Sequence, residues 1–310
     1  MNESEMIDVA IIGAGPAGMT AGMYASRAGL KAVLFEGLAV GGQVSTIKTI
    51  DNYPGFPEGV DGFDLAWSCK QQAERFGTQM VNERVVSVDL AAQPKLIVTD
   101  AGQYQARTVI VATGARNRKM GIAGEDELRG RGVSYCATCD GNFFRGKNVV
   151  VYGGGDAALE DALYLSRVCA QVTVVFRRAA FKAAQVHVEA AGQQENIDFK
   201  MRTAIAALQE ADGKLAGVQL KNLDTGELAD FAADAVFVAI GNVPNSGLFA
   251  GQLELDGEYV VAGEDCATNL PGVFAAGDVR TKKLRQVVTA VSDGAVAAEA
   301  AAAAIASGGL

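Results

Sequence analysis

The chain has 310 residues, about twice the usual length of a single domain, so two domains are expected, each burying its own core. Hydrophobic residues make up 49% and charged residues 20%, the balance of a compact chain rather than a disordered one, and a net charge of -9 argues against nucleic acid, which calls for a basic surface. Five cysteines do not make a disulfide framework in so long a chain, and an acidic start (Met1 to Asp8) with apolar stretches broken short of a membrane span predicts neither export nor an anchor, hence a cytoplasmic location.

The first predicted element is a buried strand, Asp8-Val9-Ala10-Ile11-Ile12, running into Gly13-Ala14-Gly15-Pro16-Ala17-Gly18 and a helical stretch to about Gly29. The next apolar run, Ala32 to Phe35, ends on Glu36. This order predicts a dinucleotide site: glycines let backbone N–H groups approach a pyrophosphate at a helix N-terminus, and the acid accepts hydrogen bonds from a ribose.

Further along lies Cys136-Ala137-Thr138-Cys139-Asp140, a close thiol pair followed directly by a carboxylate. The spacing alone fits half a zinc site, a redox pair or chance. Cys69, Cys169 and Cys266 have no such spacing and are expected to be reduced, mostly buried thiols. After the pair come the strand Val149 to Tyr152, a second glycine turn, Gly153-Gly154-Gly155-Asp156-Ala157-Ala158, a helix from about Leu159 to Val168, and the strand Val172 to Phe176.

The same spacing separates Gly13 from Glu36 and Gly153 from Phe176, so the two turns can be compared site by site. An acid ends the first copy and would repel a 2′-phosphate, which suits FAD or NAD. Arg177 and Arg178 end the second and would bind that phosphate through charge-assisted hydrogen bonds, which suits NADP; the plainer alternative is a solvated loop. His187 is the chain's one histidine and reads as a helix-surface residue. Gly272 to Asp278 reads as a buried strand ending in an acid, and the alanine-rich stretch to about Ala304 as a helix.

These motifs, with Gly41-Gly42-Gln43, Asp51-Asn52-Tyr53-Pro54-Gly55, Ala112-Thr113-Gly114, Ile240-Gly241-Asn242-Val243-Pro244-Asn245, Gly277-Asp278 and Arg285-Gln286, fall in the order of the low-molecular-weight bacterial thioredoxin reductases, which the chain resembles over nearly its whole length. The resemblance implies an α/β chain of two dinucleotide-binding, Rossmann-like, three-layer domains, the second inserted into the first. An FAD domain would span about 1–114 and 245–310, and an NADPH domain carrying the thiols about 118–241. For FAD it implies Gly13, Gly15, Pro16, Ala17, Gly18, Glu36, Gly42, Gln43, Asn52, Thr113, Gly114, Asp278, Arg285, Gln286 and Val287. For NADPH it implies Gly153, Gly154, Gly155, Asp156, Ala157, Arg177, Arg178, Lys182 and Gly241.

The implied chemistry runs from NADPH through flavin to a Cys136–Cys139 disulfide and on to thioredoxin. Cys139 would face the flavin, Cys136 would attack the partner, and Asp140 would carry protons. Thiols and nicotinamide ride on one domain yet must reach one flavin, so that domain is expected to rotate about Gly114 to Arg118 and Gly241 to Asn245. Arg131, Phe143 and Phe144 are candidate thioredoxin contacts, core packing being the alternative for the aromatics, and a homodimer is expected from the resemblance. Two departures stand out: Phe176 replaces the family's usual histidine, and Lys182 its arginine. They leave NADH, ferredoxin or another flavin open as donors. A flavin-dependent dithiol oxidase and a non-enzymatic zinc or interaction protein are the other readings.

Overall fold

The computed structural model describes residues 6–37, 40–47 and 49–308. The chain divides into two compact units, Met1–Arg116 with Val243–Leu310, and Asn117–Asn242. Among the described residues the α-helices are α1 (Pro16–Arg27), α2 (Gly62–Arg75), α3 (Ala137–Asp140), α4 (Asp156–Leu165), α5 (Gln185–Gly192) and α6 (Val287–Ala306).

In the first unit a sheet runs in the order Gln79–Val81, Ala32–Phe35, Ile7–Ile12, Gln103–Val111, Lys95–Thr99, Val85–Asp89, and Val273–Ala275 adds to the Gln103–Val111 strand. The strand Ile7–Ile12 is parallel to both its neighbours and buried on both faces, which is why it reads as an unbroken apolar run. Ala10 and Ile12 enter one core layer with Phe35 and Phe249, while Val9 and Ile11 enter the other with Leu34 and Ala297.

Helices α1 and α6 pack backbone to backbone. A Cβ on Gly294 would lie 2.2 Å from the Ala17 carbonyl oxygen, so only glycine permits this approach. The expectation that every apolar stretch falls short of a membrane span fails for α6, whose length and composition would suffice. In the fold it lies along α1, and alanine's high helix propensity accounts for its length.

The second unit is a parallel sheet in the order Ile197–Lys200, Gln171–Val175, Asn148–Tyr152, Ala235–Val238, Val133–Ser134. One face packs under α4, through Val149, Val151, Leu159 and Leu165. The other carries an antiparallel layer, Thr203–Ala211, Lys214–Asn222 and Leu228–Ala232, which contributes Ile205, Val218 and Leu220 to a core with Val150 and Val236. Both units are therefore Rossmann-like α/β layers, the second inserted in the chain of the first. Helix α4 begins at Asp156, earlier than expected, because its turn closes on Gly155. It ends earlier too: the Asn196 amide donates to the carbonyls of Ser166 (2.8 Å) and Cys169 (3.3 Å), taking acceptors that would otherwise prolong the helix.

Candidate active site

Each glycine turn sits at the C-terminal end of its first strand, beside the place where strand order reverses, the usual ligand crevice of such sheets. In the first unit Gly13 has φ +114°, and a Cβ there would lie 2.4 Å from the Ala112 oxygen; at Gly18 it would lie 1.9 Å from the Gly13 oxygen. Gly15 by contrast faces open space. Helix α1 opens on Gly15 with no side-chain cap, Pro16 at its start and no acid in its first turn, so its leading N–H groups keep their partial positive charge. Ala17 is buried under Gly277.

Glu36 ends the second strand with its side chain 8% exposed, paired with Lys70 of α2 at 3.0 Å. Lys70 lies in an ordinary amphipathic helix and nothing in the sequence singles it out. The loop glycines follow: Gly41 N–H donates to Ala14 at 2.8 Å, and Gly42 (φ +58°) comes against Gly15. The Gln43 amide donates to the Ala115 carbonyl, and Asn52 donates to the Gln286 amide oxygen at 3.0 Å. Thr113 and Asn245 exchange two hydrogen bonds of 2.8 and 2.9 Å, and Gly114 takes φ +68°. Gln286 caps α6, and Val287 packs with Val44, Ile50 and Leu65.

Asp278 carries the strongest ligand signal. One carboxylate oxygen, Oδ1, is buried and accepts no hydrogen bond. Burial pushes its pKa up, against the pull of Lys282 and Arg285. A buried unpaired acceptor costs about 1–3 kcal/mol, so its natural complement is a hydroxyl-bearing ligand. Together with the open space over Gly15 and the uncapped α1, this fits a dinucleotide such as FAD. Arg285 stacks on Tyr259, 4.0 Å from the ring centre, and its Nε lies 3.4 Å from the Asp278 carbonyl oxygen. Behind them Asp293 accepts from Gly277 N (2.9 Å), Arg280 (2.8 and 2.9 Å) and Lys282 (2.7 Å). This buried ionic cluster was not anticipated; its trace in the sequence is Asp293, one of two acids, with Glu299, in an otherwise alanine-rich helix.

In the second unit a Cβ on Gly153 would lie 2.2 Å from the Ala239 oxygen, and Gly155 again faces open space. Phe176 packs its ring on Gly154 and stacks on Phe181 at 4.3 Å. Lys182 N–H donates to the Gly154 carbonyl at 2.8 Å, folding the basic loop back onto the turn. Arg177, Arg178 and Lys182 project into solvent and form no ion pair among the described residues. Asp156 accepts from Ala184 N at 2.7 Å, Ala157 is exposed in the first turn of α4, and Gly241 takes φ +102°. His187 lies on α5 as expected but is partly covered, 3.5 Å from Glu160 and 3.9 Å from Asp156.

Cys136 and Cys139 are joined as a disulfide with Cα atoms 5.3 Å apart, across the single turn of α3. Cys139 N–H donates to Cys136 Sγ at 3.2 Å, and Asp140 N–H to the Cys136 carbonyl at 3.1 Å. Ser134 Oγ donates to Asp140 Oδ2 at 2.6 Å. Tyr135 donates to the buried Glu125, which also accepts from Met120 and Gly121 N–H; burial and then that hydrogen bond raise the phenol's pKa. The turn is pressed onto α4, since a Cβ on Gly141 would meet Leu165 at 2.9 Å. Arg131 is exposed. The aromatic pair splits: Phe143 is 57% exposed, while Phe144 packs edge-on to Phe237 at 5.8 Å. The remaining cysteines are free, and burial drives Cys169 and Cys266 up to about 11.

A disulfide closed over one helical turn, in a unit built like a nucleotide-binding domain, places the chain among oxidoreductases acting on sulfur. The family model described as pyridine nucleotide-disulphide oxidoreductase matches residues 7–294, and the chain belongs to that family. It is 46% identical to the thioredoxin reductase of Treponema pallidum over 95% of this chain and 96% of that one. Among solved structures it is similar to thioredoxin reductase from Streptococcus pyogenes (38% identity, TM-score 0.91, 97% of this chain and 99% of that chain) and to thioredoxin reductase from Giardia duodenalis (36%, 0.93, 98% and 100%). The resemblance carried by the motifs thus holds over nearly the full length.

Proposed function

We propose that the chain is a thioredoxin-disulfide reductase that passes electrons from NADPH, through FAD, to the Cys136–Cys139 disulfide and then to thioredoxin. The observation that carries the proposal is the disulfide itself, next to Asp140 in the second nucleotide-type unit. FAD would be held by the first unit through the turn from Gly13 to Gly18, Glu36, Gly42, Gln43, Asn52, Thr113, Gly114, Asp278, Arg285, Gln286 and Val287. When bound, the cofactors supply hydride transfer and a two-electron reductant for the disulfide. NADPH would be held at Gly153 to Ala157, with Arg177, Arg178 and Lys182 on its 2′-phosphate and Gly241 nearby.

The chain's own residues then do the sulfur chemistry. Asp140 takes the proton of the Cys139 thiol. The Cys136 thiolate attacks one sulfur of the thioredoxin disulfide, breaking that S–S bond and releasing a thioredoxin thiolate, which takes the proton from Asp140. The Cys139 thiolate attacks Cys136 Sγ, re-forms the protein disulfide and releases the second thioredoxin thiolate, protonated from water. Two electrons and two protons have moved. Arg131 and exposed Phe143 would meet thioredoxin, whereas Phe144, partly buried, packs against the core beside Phe237. The thiol-bearing unit would turn about the segments joining it to the first, and a cytoplasmic homodimer is the assembly we expect.

The test is direct. The purified protein should be yellow, NADPH should bleach it, and thioredoxin should restore the colour with turnover. Stopped-flow bleaching by NADPH, NADH and reduced ferredoxin in parallel identifies the donor. Failure of all three, with oxygen consumed on a small dithiol, would replace the proposal with a dithiol oxidase. Phe176 favours weighing NADH as well, because an apolar ring packed on Gly154 offers the adenosine ribose no hydrogen bond.

A further inference from the structure

The thiol turn leans on one buried hydroxyl that the chemistry above leaves without a role. Ser134 is 4% exposed and sits at the end of a strand, paired in register with Phe237 of the parallel sheet. Its Oγ accepts from Cys136 N–H at 3.1 Å and donates to Asp140 Oδ2 at 2.6 Å. One hydroxyl therefore bonds both the residue that opens the turn and the carboxylate that closes it. A single-turn helix does little by itself to fix the side chain of its last residue. Ser134 belongs to the sheet rather than to the turn, so its two hydrogen bonds tie both ends of the turn to the sheet.

We infer that Ser134 is a positioning residue for disulfide exchange: it aims the Asp140 carboxylate at the thiols and, through Cys136 N–H, holds the attacking sulfur's backbone in register with it. The inference rests on the reading of Asp140 as the proton carrier. Ser134 exchanges no proton with substrate. Its bond to Oδ2 holds the carboxylate in one orientation for taking the Cys139 proton and passing it to the departing thioredoxin thiolate, and it favours the ionised carboxylate present before the first transfer and after the second. The charged groups on the elements packed against α3 are Asp156, Glu160 and Asp161 on α4, and Arg145 beyond the following turn, bonded to Asn142. Asp161, pushed up to about 7 by burial and then by Glu160, titrates in the working range. All four stay in place when Ser134 is changed, so their ionisation cancels in the comparison.

The experiment uses the flavin-loaded full chain as wild type, Ser134→Ala, Ser134→Thr, Asp140→Asn and the Ser134→Ala/Asp140→Asn double variant. Flavin absorbance and melting confirm that each is folded. Thioredoxin-dependent NADPH oxidation is followed against pH, together with stopped-flow flavin bleaching by NADPH. Ser134→Ala should lower kcat about tenfold, the loss expected for one hydrogen bond to a charged group, with KM for thioredoxin and the bleaching rate within about twofold. The ionisation governing kcat should move to higher pH, since the carboxylate has lost a donor that favoured its charged form. Ser134→Thr should restore both, and the double variant should be no slower than Asp140→Asn.

Alkylation of Cys136 in the dithiothreitol-reduced protein, measured against pH, gives a readout independent of turnover and should be displaced in Ser134→Ala but not in Ser134→Thr. A slow Asp140→Asn beside a Ser134→Ala with wild-type kcat and pH profile would overturn the role of Ser134 and leave that of Asp140 standing. Additive losses in the double variant would overturn it as well. Wild-type turnover in Asp140→Asn would remove both.

Discussion

Asp293 and Arg280 form a buried pair, 2.8 Å between Oδ1 and Nη2, that ties the middle of α6 to the segment carrying Gly277 and Asp278. Burial alone would raise the Asp293 pKa, but hydrogen bonds from Arg280 and Lys282 and the Lys282 charge outweigh it and hold the carboxyl below its ordinary value. A depressed folded-state pKa contributes stability above the unfolded value, about 3.9, and that contribution is lost as pH falls through the lower folded value. Asp293→Asn leaves two buried cations underpaired and should cost about 3–5 kcal/mol. Urea unfolding at pH 7 and below pH 4 checks both parts: the variant should be weaker at neutral pH and lose less than wild type on acidification. Equal curves at both pH values would contradict the assignment.

Asp278 Oδ1 is buried and accepts no hydrogen bond, which makes Asp278 the residue through which the proposed flavin binding is best tested. Asp278→Ala should weaken FAD binding about 10–100-fold, the equivalent of one hydrogen bond to a charged group. The flavin-free variant should nevertheless melt no lower than flavin-free wild type, because a costly buried acceptor has gone. A variant that keeps its flavin through gel filtration as wild type does would count against Asp278 as a ligand.

Gly15 and Gly18 stand three residues apart in one turn yet should fail differently. A Cβ at Gly18 meets backbone at 1.9 Å, where nothing flexible can yield, so Gly18→Ala should prevent stable folding or cost more than about 3 kcal/mol. At Gly15 a Cβ meets open space, so Gly15→Ala should leave the flavin-free protein within about 0.5 kcal/mol of wild type while weakening FAD. Denaturation without flavin, followed by flavin titration, distinguishes them. Loss of the fold in Gly15→Ala would mean that the space is structural.

What could be read before the fold was known was local. The run Asp8 to Ile12, the turn from Gly13 to Gly18 and the acid at Glu36 declare themselves because strand, turn and helix are adjacent in the chain and glycine is the one residue those backbones admit. The thiol pair and the arginine pair are legible for the same reason. Contacts made by folding were not legible. Lys70 reaches Glu36 from another helix, Gln286 reaches Asn52 across most of the chain, and Asp293 finds Arg280 only once α6 is docked. Phe176 illustrates the limit: it stood out as a departure from a polar position, and only packing explains it, as a ring laid on Gly154 and closed off by Phe181 and Phe199.

Arg177 and Arg178 lie in the exposed loop pinned to the glycine turn through Lys182 and Gly154, and they form no ion pair among the described residues. Two guanidiniums held this way are suited to a dianionic phosphate. Arg177→Ala/Arg178→Ala should raise KM for NADPH about 10–100-fold through lost charge-assisted hydrogen bonds and leave KM for NADH nearly unchanged. Flavin bleaching by the two nucleotides in parallel reads the ratio. An equal loss for both would place the arginines outside the 2′-phosphate site.

The two sulfurs of the redox pair are not equivalent, and the asymmetry predicts which one meets thioredoxin. Cys136 caps α3, and its sulfur accepts the Cys139 N–H at 3.2 Å and lies 3.5 Å from the Thr138 hydroxyl. Both donors remain when the bond is reduced, and donors aimed at sulfur favour the thiolate, the form that attacks a disulfide. Cys136 should therefore be alkylated at lower pH than Cys139 in the reduced protein. With Cys139→Ser the remaining Cys136 should form a mixed disulfide with thioredoxin that persists, since the sulfur that would resolve it is absent. Cys136→Ser should form none, although its remaining thiol is intact. Non-reducing electrophoresis of each variant with oxidised thioredoxin reads the result, and a stable adduct through Cys139 alone would reverse the assignment.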